Sequence, residues 1–71
     1  MAQLSYDQYD ALERAIRNRT RIAVMKHGTE YVVVPSHLTI ERGREALQVW
    51  HPSGSIMTFY LDDLESFEVV R

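Results

Sequence analysis

The hydrophobic periodicity of this chain changes once, and that change limits the folds open to it. From Ser5 to Asn18, apolar residues recur every three or four positions, which is the spacing of one face of a helix. After Asn18 the chain consists of short runs bounded by turn residues, with the two-residue periodicity of strands. We therefore predict one N-terminal helix followed by several short strands.

The predicted helix starts at Tyr6, because Ser5 and Gln8 stand at the spacing of a capping box. Asn18 is predicted to end the helix as a left-handed cap. The acids of this segment come early and its arginines late, which is the order that the helix dipole favours. The residues expected to face the core are Tyr9, Leu12, Ala15 and Ile16.

Five strands are predicted after the helix, separated by tight connections. The turn signals lie at His27–Gly28, at Arg42–Arg44, at His51–Gly54 and in the corner 62–66. Pro35 cannot donate a ladder hydrogen bond, so the second strand should bend, bulge or form an edge there. This order is typical of a small, highly bent antiparallel barrel of the Sm or SH3 kind. Phe67 and Val69 are predicted to face inward, and three other groups are each predicted to share one face of a strand: Ile22 with Val24, Leu47 with Val49, and Met57 with Phe59 and Leu61.

Composition is consistent with one domain that spans residues 1–71. The chain has no cysteine, so neither a disulfide nor a thiolate zinc site can stabilise it. A hydrophobic content of 45% must supply the core. The net charge of −2 lowers the expectation of nucleic-acid binding and favours a positively charged protein partner. We find no signal peptide and no apolar run of membrane-spanning length, so we expect a cytoplasmic protein without membrane contact.

The residue pattern gives little support for catalysis or metal binding. The three histidines, His27, His37 and His51, fall in turns or beside a strand bend, whereas a site made only of histidines needs all of them to converge. Asp62 and Asp63 would point in opposite directions in an extended chain, which argues against a catalytic pair. We therefore predict that the protein is not an enzyme and binds no metal or cofactor.

Two charged clusters are candidate binding surfaces. Asp10 and Glu13 are neighbours on one helix face, and capping does not need both, although Glu13 can pair with Arg17. The residues alone leave two interpretations of this face open, a partner surface and a solvated surface. The basic cluster consists of Arg14, Arg17, Arg19, Arg21, Arg42 and Arg44. Two interpretations of this cluster also stay open, an ordinary solvated surface and an RNA-binding patch.

Four segments, in their order along the chain, resemble the Rof family of small acidic bacterial proteins, which bind the transcription terminator Rho and inhibit it. They are YDALERA at Tyr9–Ala15, SHL at Ser36–Leu38, EALQV at Glu45–Val49 and LDDLESF at Leu61–Phe67. Family members have Tyr-Asp-x-Leu-Glu-x-Ala in the helix and Leu-Asp-x-Ile/Leu-x-Ser-Phe at the last strand. The resemblance extends from about Tyr6 to the end of the chain.

The resemblance implies a single Rof-like domain, with an Sm-like barrel and an N-terminal helix. It also implies binding to the N-terminal, OB-fold-containing region of Rho near the primary RNA site, where the protein blocks RNA access. The expected state is a monomer without direct nucleic-acid binding, whose helix acids imitate RNA phosphates while tyrosine supplies an aromatic contact. The residues implied to contact Rho are Tyr6, Tyr9, Asp10, Glu13, Arg17, Arg42 and Gly43.

Two other functions stay open beside this one. The segments VVPSHL and TFYLDDLESFEV also resemble the barrel of ligand-sensing WYL domains, but the Trp-Tyr-Leu tripeptide is absent. An Sm-like RNA-binding protein that assembles as a ring is the other alternative, and the net negative charge counts against it. The chain also departs from the Rof pattern in the turn before the third strand, which reads Glu41-Arg42-Gly43-Arg44, so the charge of that contact differs.

Overall fold

The computed structural model describes residues 4–70 and contains one α-helix, five β-strands and one short 3₁₀ helix. The predicted mainly-β fold with a single N-terminal helix is confirmed. The 3₁₀ helix, Leu61–Asp63, connects the fourth strand to the fifth. The other elements are α1 Tyr6–Asn18, β1 Ile22–Lys26, β2 Thr29–Glu41, β3 Arg44–Trp50, β4 Ile56–Tyr60 and β5 Ser66–Val69.

Both ends of α1 are capped. At its start, Ser5 Oγ accepts a hydrogen bond from the Gln8 N–H at 3.2 Å, and Gln8 Oε1 accepts one from the Ser5 N–H at 2.9 Å. The predicted capping box is therefore confirmed. At the other end the left-handed residue is Arg19, with φ 54°, so the prediction of Asn18 is wrong by one residue. The N–H groups of Arg19 and Thr20 donate to carbonyls of the last turn in a Schellman motif, which places the cap one residue later.

The five strands form one antiparallel sheet in the order β4-β3-β2-β1-β5. Strand β2 belongs to two ladders, because its residues 29–33 pair with β1 and its residues from Val34 onward pair with β3. The register shifts between Pro35 and His37, which confirms the irregularity predicted at the proline and bends the strand there. A ladder between β4 and β5, which would close the predicted Sm-like or SH3-like barrel, is not among the pairings of residues 4–70.

Two hairpins have turns of the same kind. His27 (φ 50°) and Gly28 (φ 77°) connect β1 to β2, and Arg42 (φ 55°) and Gly43 (φ 75°) connect β2 to β3. Positive φ at both central residues defines the type I′ turn, whose twist matches that of the flanking strands. Glycine adopts this conformation without strain, whereas it is unfavourable for His27 and Arg42, because their side chains carry a Cβ atom.

A single cluster of apolar side chains lies between α1 and the sheet. Helix α1 contributes Leu12 and Ala15 as buried residues, and Tyr9 and Ile16 pack against the cluster as predicted. Burying one large apolar side chain stabilises a domain by about 1.5–3 kcal/mol, a large share of the net stability of so small a fold. Phe67 and Val69 pack on the cluster as predicted. The strand residues predicted to share a face also belong to the cluster or pack on it: Ile22, Val24, Leu47, Val49, Phe59 and Leu61 are buried, and Met57 is partly buried.

The expectation that Asp62 and Asp63 point in opposite directions is wrong. The 3₁₀ helix brings both carboxylates to one guanidinium, because Arg44 Nη2 lies 2.6 Å from Asp62 Oδ1 and 3.2 Å from Asp63 Oδ1. The hydrogen bond from Arg44 lowers the pKa of Asp62, and the same bond raises the pKa of Arg44. The guanidinium carbon also lies 3.9 Å from the centroid of the Tyr60 ring. This cluster ties β3 to the corner that precedes β5.

Candidate functional site

Helix α1 lies along the second half of β2 and runs in the opposite direction. Near the start of the helix, Tyr9 contacts Glu45, which is the ladder partner of Ile40. Further along the helix, Glu13 borders a hollow of about 350 Å³ that Leu38 of β2 also lines. The start of α1 is therefore held at the β2–β3 hairpin, and its end lies toward the bend of β2.

Tyr9 lies at the margin of the core with its hydroxyl group outside it. The ring packs against the core cluster, while the hydroxyl donates a hydrogen bond to Glu45 Oε2. This hydrogen bond raises the pKa of Tyr9, and burial and the negative charge of Glu45 raise it further. Tyr9 is thus engaged within the protein, and only the exposed part of its ring can meet a partner.

The acids predicted to contact a partner are exposed. Asp10 and Glu13 are both exposed on α1, and Tyr6, at the first helical position, is 92% exposed. All ion pairs among residues 4–70 involve Arg44, so the Glu13–Arg17 pair considered above is not formed and Asp10 has no internal ion-pair partner in that range. Both carboxylates can therefore meet a cationic partner without breaking such a pair.

The β2–β3 turn lies beside the start of the helix. Arg42 and Gly43 are exposed at the tip of this hairpin, and Glu45 connects the hairpin to Tyr9. Arg17 lies in the last turn of α1, where it lines the same hollow as Glu13 but is distant from the hairpin. The residues that the structure brings together are called the helix–hairpin surface below, and they are Tyr6, Tyr9, Asp10, Glu13, Ile40, Arg42, Gly43 and Glu45.

Sequence reasoning missed two residues of the helix–hairpin surface. Ile40 is 71% exposed and faces Glu45 across the β2–β3 ladder. The sequence did contain a sign of the role of Glu45. Residues two positions apart on a strand lie on the same face, so Glu45 is on the face of β3 that carries the buried Leu47 and Val49. A carboxylate in an inward register needs a hydrogen-bond partner if it is to be buried, and here it lies at the margin with Tyr9 as that partner.

The helix–hairpin surface carries more acid than base. Asp10, Glu13 and Glu45 are acidic, and Arg42 is its basic residue. An acidic surface that also exposes a tyrosine and an isoleucine is suited to a cationic partner with apolar patches. Within residues 4–70 no group of three or more His, Cys, Asp or Glu side chains could hold a metal ion. The described part of the chain contains no helix with the length and apolar character that crossing a membrane requires.

The arginines that cluster near the end of α1 border more than one hollow. Arg14 borders a hollow together with Asn18 and Val69. Arg17 and Arg19 border a different groove, which lies against the bend of β2. Arg14 therefore borders a different hollow from Arg17 and Arg19, although Arg14 and Arg17 are neighbours on α1.

Comparisons of the chain with protein-family models, with curated proteins and with solved structures found no match. The segments that resemble the Rof family divide between core and surface. Leu12, Leu61 and Leu64 are buried, whereas Asp10 and Glu13 are exposed. The buried positions serve the fold, and the exposed positions are those at which a partner can be recognised.

Proposed function

We propose that the protein inhibits Rho-dependent transcription termination by binding the N-terminal, RNA-binding region of Rho through the helix–hairpin surface. The resemblance to the Rof family supplies the partner. The observation that carries the proposal is the hydrogen bond between Tyr9 and Glu45, residues 36 positions apart, which joins α1 to the β2–β3 hairpin. These are the two regions that the resemblance implies as contacts.

The charge pattern supports a mechanism of competition with RNA. An RNA-binding groove is basic because it must neutralise phosphates. Asp10 and Glu13 offer carboxylates from one helix face to such a groove. A protein bound there occupies the space that RNA needs, so inhibition requires no reaction and no cofactor, and a monomer is sufficient.

Apolar contacts complement these charges. Tyr6 is 92% exposed and Ile40 is 71% exposed, which makes them the most exposed large apolar side chains among the described residues. Tyrosine contributes strongly to interfaces, because its large ring is ordered with little loss of conformational entropy. Charges at the rim of an interface mainly set the association rate and the salt dependence. We therefore assign the apolar anchor to Tyr6 and the orientation of the complex to the acids.

A calorimetric titration of the protein into Rho from the same organism tests the proposal, with and without competing C-rich single-stranded RNA. The expected result is saturable binding that RNA displaces and that weakens as salt is added. Binding that RNA leaves unchanged would place the contact elsewhere on Rho. No binding at modest salt would refute the proposal.

A matched pair of charge reversals assigns the binding to the surface. Asp10→Lys should weaken the complex by about tenfold or more. The free energy of unfolding of this variant should stay within about 0.5 kcal/mol of the wild-type value, because Asp10 is exposed. Glu30→Lys makes the same change of charge at an exposed position beside the β1–β2 turn. This control should bind Rho nearly as well as the wild type. Unweakened binding by Asp10→Lys would remove the helix from the mechanism.

A further inference from the structure

A groove of about 680 Å³ lies between the last turn of α1 and the bend of β2. Ile16 of α1 and residues 34–36 of β2 line it, and Trp50 of β3 borders it. Its volume is within the range of sites that take small molecules, about 300–1,000 Å³. It lies toward the end of α1 opposite to Tyr6 and Tyr9, and it shares Ile16 and Arg17 with the smaller hollow that Glu13 borders.

Trp50 is unusual in its exposure. It is the only tryptophan of the chain, and 46% of its surface is exposed. In the ladders it lies between Val34 of β2 and Ile56 of β4, so the three side chains form a row on one face of the sheet. Part of a large aromatic side chain is therefore accessible from the groove.

Two arginines border the same groove. Arg17 is in the last turn of α1, and Arg19 is the left-handed residue that ends it. Both are exposed, and within residues 4–70 neither takes part in an ion pair, since every ion pair there involves Arg44. No Asp or Glu of the described residues lines this groove. The groove is thus locally cationic in a chain with a net charge of −2.

We infer that this groove binds a nucleotide unit of a single-stranded nucleic acid. A base can stack on the indole of Trp50, and the adjoining phosphate can be held by the guanidinium groups of Arg17 and Arg19. An aromatic side chain beside cations is the combination by which proteins bind single strands without sequence preference. The net charge of −2, which lowers the expectation of nucleic-acid binding, averages these arginines with the acids elsewhere in the chain.

The apolar part of the lining favours a nucleotide over a simple anion. Ile16 and Val34, which are both partly exposed, line the same groove as the arginines. Inorganic phosphate would leave these side chains and Trp50 without a partner, so it would use only the cationic part of the site. An acidic peptide would satisfy the arginines, but it has a planar ring only where it carries an aromatic residue. Every nucleotide supplies a base and a phosphate at a fixed spacing.

The fluorescence of Trp50 tests this inference directly, because no other tryptophan contributes to the signal. The probes are oligouridylate, oligothymidylate, UMP, inorganic phosphate and oligoglutamate, each added to the full-length protein without Rho. The oligonucleotides should quench the indole in a saturable way. The logarithm of the affinity should fall with the logarithm of salt with a slope of about −0.7, as expected for one neutralised phosphate on a single strand. If UMP quenches the indole as strongly as an oligonucleotide does, the ligand of the groove is a free nucleotide and not a strand.

Three variants locate the binding. Arg17→Glu should weaken oligonucleotide binding by about tenfold, whereas Arg14→Glu, the same change at a helix position outside the groove, should change it less than about twofold. Trp50→Ala, followed with a labelled oligonucleotide, should weaken binding by about fivefold to a hundredfold. Far-ultraviolet circular dichroism confirms that each variant is folded. Equal losses of oligonucleotide affinity in Arg17→Glu and Arg14→Glu would overturn the inference. Quenching by phosphate or oligoglutamate, without quenching by the oligonucleotides, would also overturn it. Because Rho is not present, these results are independent of the proposed function.

Discussion

The hydroxyl of Tyr9 donates a hydrogen bond to a carboxylate oxygen of Glu45, and this contact joins the start of α1 to the β2–β3 hairpin. The two residues are 36 positions apart, so the bond connects elements that are distant in the chain. It fixes how the two parts of the helix–hairpin surface are presented to each other. A partner that contacts both parts therefore meets a preformed surface, which lowers the ordering cost of binding.

Replacing Tyr9 by phenylalanine should destabilise the fold modestly and weaken binding to Rho. The ring and its packing are kept, but the hydrogen bond to Glu45 is lost, at a cost of about 1 kcal/mol. Urea denaturation measures this loss as a lower midpoint with an unchanged slope. Tyr6→Phe is the matched control, because the side chain of Tyr6 is 92% exposed and its loss of a hydroxyl should leave the midpoint unchanged. Equal midpoints for the two variants would show that the Tyr9–Glu45 bond does not stabilise the fold.

Because of the hydrogen bond between Tyr9 and Glu45, we expect the protein to lose stability at alkaline pH. The pKa of Tyr9 is raised above its usual value of about 10, chiefly by the hydrogen bond to Glu45. The folded protein thus holds this proton more tightly than the unfolded chain does. The stabilisation is fully present below about pH 10 and is lost as the pH rises through the raised pKa. The urea midpoints of the wild type and Tyr9→Phe should differ at neutral pH and converge at alkaline pH. A constant difference across this range would contradict the assignment.

Much of the fold could be predicted from local sequence. The capping box of Ser5 and Gln8 depends on residues three positions apart, and the bulge after Pro35 follows from one missing donor. The shared face of Leu47 and Val49 follows from the period of a strand, and both residues are buried. In the candidate site, helical spacing was enough to place Asp10 and Glu13 on an exposed face. Each of these features depends on residues only a few positions apart, so the local sequence pattern was sufficient to predict it.

Features that depend on tertiary structure could not be predicted in this way. No local pattern joins Tyr9 to Glu45, and none shows that Asp62 and Asp63 leave the extended conformation to share Arg44. The left-handed cap of α1 is Arg19 because the N–H groups of Arg19 and Thr20 donate to carbonyls of the last turn, which composition does not reveal. The groove beside Trp50 has the same origin, since a helix and two strands must come together before it exists.

Asp62→Asn should lower the free energy of unfolding at neutral pH. In acid the variant and the wild type should be equally stable. The hydrogen bond from Arg44 lowers the pKa of Asp62, so the unfolded chain binds this proton more readily than the folded protein does. The stabilisation is present above the usual aspartate pKa of about 3.9 and is lost as the pH falls through the lowered value. Acid denaturation followed by circular dichroism should show the wild type and Asp62→Asn converging at low pH.

Asp63→Asn is the matched control for that experiment. Asp62 lies 2.6 Å from Arg44 Nη2 and also accepts from Arg44 Nε, whereas Asp63 lies 3.2 Å from Nη2. The effect of Asp63→Asn should therefore be the smaller of the two at neutral pH. Equal effects would mean that the guanidinium does not distinguish the two carboxylates in solution.

Arg42→Asn should stabilise the protein and yet weaken its complex with Rho. Arg42 has φ 55° and precedes Gly43 with φ 75°, and asparagine followed by glycine is the preferred pair for a type I′ turn. The exchange should raise the free energy of unfolding by about 1 kcal/mol, measured from urea midpoints, because asparagine tolerates a positive φ better than arginine does. It also removes the charge of Arg42 from the helix–hairpin surface, so calorimetry should show a Rho complex about fivefold weaker.

His27→Asn separates these two effects, because it makes the same turn improvement in the β1–β2 hairpin, where His27 has φ 50° and precedes Gly28 with φ 77°. This variant should gain similar stability and bind Rho as the wild type does. If Arg42→Asn is stabilised to the same extent and its Rho binding is unchanged, then the β2–β3 turn contributes only its shape to the surface. Weaker binding by Arg42→Asn alone assigns a contact to the guanidinium itself, since the backbone of the turn is improved equally in both variants.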